Sequence, residues 1–188
     1  MEKNTNSNGV SDARIDRRQQ IVDAAKALIG AGIANDFDPV HAPLCAIDLV
    51  MVAGAPWLKE ALERDYGKDE SGYKKIGGGA NTPKMAYFFR SAANLMHFLK
   101  RQGLYVPRGG TPDPAAGMAC FLDWDDRGRF NFSPDRSGII ISTKDHHIES
   151  IALPLMLDDG SGNYRVEIIS VTPQDKLDRA IIGYSDLP

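Results

Sequence analysis

The sequence predicts an α+β fold in which N-terminal helices, one of them central and buried, pack on a five-stranded antiparallel sheet. Two observations carry this expectation. Apolar residues recur at helical spacing through the first hundred positions, and from Pro107 onward the chain breaks into short β-type runs separated by turn-rich pieces. Helices first and an antiparallel sheet second is the α+β arrangement. The size agrees: 188 residues with 43% hydrophobic content suffice for one domain with a substantial core. The expected organisation is a polar tail over residues 1–10 and a single domain over 11–188.

The first helix is expected in "SDARIDRRQQIVDAAKALIGAGI", where Ile15, Ile21, Val22, Ala25, Leu28 and Ile29 keep helical spacing. Ser11 or Asp12 would cap it and Gly30 or Gly32 would stop it. "NDFDPVHAP" reads as a loop. Pro43 then stands where a helix can begin without losing a needed N–H. The second helix, from about Cys45 to Ala53, is apolar on nearly every side except Asp48, which marks it as central and buried. "PWLKEALERDYGKDES" is a third, solvent-facing helix with Leu58, Leu62 and Tyr66 at every fourth position. "GYKKIGGGANTP" is expected to be a mobile loop because three glycines follow one another. "AANLMHFLKRQG" resumes helical spacing and ends in a basic turn before Gly103. The five strands are expected in "GMACFLDW", "SGIIIST", "HHIESIAL", "YRVEIISV" and "RAIIGYS".

Several function classes fall away on composition. Charged residues make up 25% of the chain, the net charge is −3, and Lys and Arg are scattered, so the basic stripe of a nucleic-acid binder is missing. No stretch approaches the length of a membrane span, and "MEKNTNSNGV" has no apolar signal core. A cytoplasmic location is the expectation for the chain as written. Two cysteines allow at most one disulfide. None of the four histidines has zinc-site spacing to a cysteine, so neither a metal nor another cofactor is expected. Gly77-Gly78-Gly79 lacks the Lys-Ser/Thr pair and the preceding strand of a phosphate loop.

Chemistry concentrates at Cys45. A thiol at a helix N-terminus is activated by the free N–H groups and the macrodipole, and the same N–H groups can form an oxyanion site. A small buried hydrophobe is the competing interpretation. Cys120, flanked by apolar residues inside a strand, reads as core.

The ordered set "DAAKALIG", "LCAIDLV", "NLMHFLKRQG", "PAAGMACFLDW" with "SGIIIS", and "RAIIGYS" resembles the papain-like NlpC/P60 superfamily of cell-wall cysteine peptidases, most closely the DUF1287 group. The stretches run in the same order over residues 22 to 184. The resemblance implies a papain-like fold and Cys45 as nucleophile. It also implies a His general base, a third polar group that orients it, and a peptidoglycan stem peptide as substrate. It would place the protein in the cell envelope if exported.

The family His begins the second strand in an H-x-G-I pattern, which here reads "RSGI", so Arg136 takes its position. A guanidinium stays protonated and cannot act as a general base, although it can hold a thiolate or a carboxylate. The third group is expected near Ser150, opposite Ile139 in a hairpin that turns around Lys144-Asp145. His147 is the first candidate for a displaced base, with His146 and His41 as alternatives; His97 reads as structural. Asp48 is a helix-start acid or a contact for a substrate amine. Trp124, with Phe130 and Phe132, either walls a substrate groove or closes the sheet's end, and Asp123 and Asp125 either line the cleft or make a turn. Two functions are therefore expected: a cysteine peptidase or amidase using Cys45 and His147, or a degenerate relative that binds a peptide or glycopeptide through Arg136.

Overall fold

The computed structural model describes residues 12–33, 57–77, 79, 81–84, 88–89, 91–124, 134–156 and 164–187. His41, Cys45 and Asp48, the helix expected around them, and Asp125, Phe130 and Phe132 lie outside the described residues. The elements in chain order are α1 (Asp12–Ala27), β1 (Gly32–Ile33), α2 (Leu58–Tyr66), α3 (Glu70–Gly77), α4 (Ala92–Arg101), β2 (Tyr105–Pro107) and β3 (Ala119–Leu122). They continue with β4 (Arg136–Lys144), β5 (His147–Met156), β6 (Tyr164–Ser170), α5 (Lys176–Ala180) and β7 (Ile181–Ser185).

The fold is α+β, with an open antiparallel sheet in the order β1-β6-β5-β4-β3-β7-β2. All five expected runs form strands, β3 to β7. The five-strand count is corrected by two edge strands, β1 of two residues and β2 of three. Pieces so short carry no alternation that a sequence pattern could reveal.

Alternation along the strands divides the core in two. On the first face Ala119, Phe121, Ile139 and Ala152 pack with Ile21 and Ala25 of α1, Leu58 and Leu62 of α2, and Leu95 and Leu99 of α4. On the second face Cys120, Leu122, Ile140, Ile151 and Leu153 pack with Leu177 and Ala180 of α5 and with Tyr184. Cys120 is fully buried, and burial pushes its thiol pKa up to about 12. It is the inert core residue its neighbours suggested. Ile15 and Ile29, counted in the helical spacing of α1, are exposed instead.

The stretch expected as a loop begins with a helix. α3 runs to Gly77, and Asp69 caps it by accepting from the Gly72 N–H. Tyr73 is completely buried against Phe88 and donates its hydroxyl to Asp65 at 2.9 Å. One anchored aromatic and one cap outweigh the glycines that follow. α4 ends as its pattern predicted, the chain leaving through Gly103 at φ +70°, and Ser91, which the pattern did not single out, caps its start.

The β4–β5 hairpin turns on Asp145 and His146, both at positive φ (48° and 67°) as a type I′ turn requires. The turn is one residue later than expected, and the register shifts on both sides of Ser142. Ser150 therefore pairs with Ser142, and Ile139 faces Ala152. Gly138 shows why β4 and β5 approach so closely: a Cβ there would lie 2.6 Å from the Ala152 carbonyl oxygen and 2.9 Å from Ile151 Cγ2. Gly138→Ala is expected to destabilise the protein by about 2 kcal/mol. A urea unfolding midpoint equal to that of the parent would show that the strands yield.

Candidate functional site

The expected site residues fall at two separate places. The first is the head of β4. Arg136 pairs there with Leu122 of β3, on the second face of the sheet, away from α1, α2 and α4. Its guanidinium lies 5.8 Å from the Trp124 ring centre and 5.9 Å from that of Tyr164, and donates a long bond to the Pro154 carbonyl at 3.4 Å. Lys176, from the start of α5, approaches the same indole at 5.6 Å. All three ring distances lie within cation–π range. The Trp124 backbone N–H donates to the Asp135 carboxylate at 2.9 Å, tying the exit of β3 to the entry of β4. Partial burial raises the Asp135 pKa.

This place is an aromatic and cationic ledge. Two cations over one indole, with a second ring beside them, suit a ligand that offers a carboxylate and a flat apolar surface. They do not suit proton abstraction, since guanidinium and ammonium groups donate hydrogen bonds and have no acceptor site for a proton.

The second place is the hairpin tip at the other end of β4. His147 stands opposite Lys144, eight residues along the strand from Arg136, which is roughly 26 Å at the usual rise per residue. His146 and His147 line a cleft of about 290 Å³ with Ile148, Asp113 and Asp178. His146 Nδ1 lies 2.7 Å from an Asp113 carboxylate oxygen, with both side chains largely exposed. The structure thus brings Arg136 together with Trp124, and His147 together with His146, but does not join these pairs.

Ser150 lies between the two places. Its hydroxyl is 2.7 Å from that of Ser142, which also donates to Glu149. It faces neither Arg136 nor, in register, Ile139, so the third-group position derived for it is corrected by two residues. His97 is structural, as expected: it binds Asp69 at 2.8 Å and stacks edge-on against Tyr73.

Sequence reasoning missed Tyr164 and Lys176 at the ledge, and Arg108, Asp113, Asp178 and Tyr184 at the cleft. Only α5 carried a local signal, Asp175 followed three residues later by Asp178, whose N–H it caps. Among the described residues no group of three or more His, Cys, Asp or Glu side chains could hold a metal ion, and no helix is long and apolar enough to cross a membrane. Comparison of the chain with protein-family models, curated proteins and solved structures found no match.

Proposed function

We propose that this chain is an NlpC/P60-like domain without the family's proton-transfer machinery, and that it binds a peptide or glycopeptide at the Trp124–Arg136 ledge. The observation that carries this reading is Arg136 itself. It stands where the resemblance calls for a general base, its guanidinium packs on Trp124 and Tyr164, and both hairpin imidazoles sit at the far end of the strand. In this reading Arg136 pairs with a ligand carboxylate, and the indole stacks on a sugar or an apolar side chain.

A muropeptide with free carboxylates, titrated while tryptophan fluorescence is followed, tests the reading. Saturable binding that weakens tenfold or more in Arg136→Gln is the expected result, since a charge-assisted pair is worth about 1.5–3 kcal/mol. Equal binding by parent and variant would refute it.

The Pro43-Leu44-Cys45 sequence, a pattern that suits a helix start, favours a second reading, a cysteine peptidase or amidase with Cys45 as nucleophile and His147 as base. The pH dependence of haloacetamide alkylation, followed at Cys45 by peptide mass, separates the two. Cys120 needs no replacement because burial shields it. The binding reading expects Cys45 to titrate near the ordinary thiol value of about 8.5. A thiolate formed well below that value, with hydrolysis abolished by Cys45→Ala, would establish the peptidase instead.

A further inference from the structure

The cleft under the hairpin tip lies at the far end of β4 from the ledge and shares only His147 with the peptidase reading. Its apolar walls are Pro114, Ile148, Ile181 and the ring of Tyr184. The Tyr184 hydroxyl is already spent on the carbonyls of Gly110 and Pro112, both at 3.1 Å, so the ring serves as a fixed wall. The same two bonds pin the segment that carries Arg108 and Asp113.

The rim carries two close polar pairs. Arg108 Nη2 lies 2.7 Å from Asp178 Oδ2, and His146 Nδ1 lies 2.7 Å from Asp113 Oδ2. His147 adds a further imidazole. Two carboxylates, one guanidinium and two imidazoles thus face one space of about 290 Å³, at the small end of ligand clefts. That space holds a single amino acid with a sizeable side chain and is too small for a disaccharide peptide.

The rim decides the ligand's charge. A ligand bearing only a carboxylate would take Arg108 and leave Asp178 without its partner; one bearing only an ammonium would take a carboxylate and strand a cation. A zwitterion avoids both outcomes: its carboxylate takes Arg108 and its ammonium takes Asp178, the carboxylate so released, with Asp113 also on the rim. Ion pairs this exposed are weak and open readily. The hairpin tip over the cleft is also in an unusual state, because Asp145 and His146 both hold left-handed backbone conformations that glycine or asparagine normally supplies.

We infer that this cleft binds a small zwitterion with an apolar side chain, of the size and charge of a free amino acid such as leucine or phenylalanine. The inference does not depend on the ledge or on Cys45.

Titration of the full chain with leucine and with phenylalanine, followed by amide NMR shifts, tests it. Isovalerate and isoamylamine serve as the two single-charge analogues of leucine. The expected result is saturable shifts centred on Gly109, Ile148 and Tyr184 with leucine or phenylalanine, and binding at least about tenfold weaker for either single-charge analogue. Asp113→Asn and Arg108→Gln are each expected to weaken amino-acid binding by a similar factor while leaving the rest of the spectrum in place. No saturable shift from either amino acid up to roughly 20 mM would overturn the inference. So would single-charge analogues that bind as tightly as leucine, which can be judged on the parent protein alone.

Discussion

Replacing Asp65 with Ala is expected to destabilise the protein by about 3 kcal/mol, because it removes a buried carboxylate on which three helices converge. Asp65 is 4% exposed and accepts from Tyr73 of α3 at 2.9 Å, from Arg101 Nε of α4 at 2.8 Å and, more weakly, from Gln102 at 3.5 Å. Without it the Tyr73 hydroxyl is buried unpaired. Arg101 keeps Asp69 at 3.2 Å and is partly solvated, which holds the loss below the upper end for a broken buried pair. In a domain of this size the melting temperature should fall by roughly 6–12 °C. Asp65→Asn retains an acceptor for Tyr73 and should cost less. A melting temperature unchanged in the alanine variant would mean that the three helices are held by apolar packing alone.

The neighbouring Asp69 gives the same cluster a pH signature. The hydrogen bond from His97 lowers its carboxyl pKa, with further help from the Arg101 charge and the Gly72 N–H. A depressed carboxyl pKa stabilises the fold fully above the ordinary carboxylate range near pH 4. That contribution is lost as pH falls through the lowered value. Asp69→Asn should therefore flatten the acid side of the stability profile and leave its slope above about pH 5 unchanged. An acid limb as steep as that of the parent would show that other carboxylates carry it.

What could be read from the sequence follows from how local each determinant is. The helical spacing of Leu58 and Leu62, the basic last turn before Gly103, and the five β-type runs are local patterns, and each became the expected element. α3 was missed because what makes it a helix is the burial of Tyr73 on Phe88 and its bond to Asp65, contacts that only the assembled fold supplies. The hairpin register was missed by one residue at the turn. An Asp-His pair at positive φ is an uncommon turn choice, and the irregularity around Ser142 leaves no mark in composition.

The site was less legible for a related reason. That Arg136 stands where the resemblance expects a histidine could be read directly, whereas the close strand approach at Gly138 could not. Which face Arg136 takes depends on strand parity, and its neighbours Tyr164 and Lys176 come from segments far along the chain. The cleft is assembled from four such segments, the stretch after β2, the hairpin tip, α5 and β7, none of which carries a binding pattern of its own.

A second large effect is expected at the paired amides of Asn81 and Asn94, neither of which exposes any surface. Each donates to the other's side-chain oxygen, at 2.9 and 3.0 Å, and each gives its remaining N–H to a carbonyl, Asn81 to Tyr73 at 2.7 Å and Asn94 to Phe88 at 2.9 Å. The four bonds join α3, through the Tyr73 carbonyl, to α4 and to the segment before it. Asn94→Leu keeps the number of side-chain heavy atoms but strands the Asn81 side-chain oxygen and one of its N–H groups, along with the Phe88 carbonyl. With about 1–3 kcal/mol for each buried group left unpaired, a loss of roughly 3 kcal/mol is expected. Asn81→Leu should cost a similar amount for the mirrored reason. The double variant distinguishes a polar pair from two independent residues. With both amides replaced, no side-chain polar atom of the pair is left without a partner, so the double loss should fall short of the sum of the singles by at least about 1 kcal/mol. Urea unfolding of the four proteins measures this directly. Losses that add to within about 0.5 kcal/mol would mean that each asparagine matters only for the carbonyl it holds, and that the α3–α4 junction owes nothing to the bond between them.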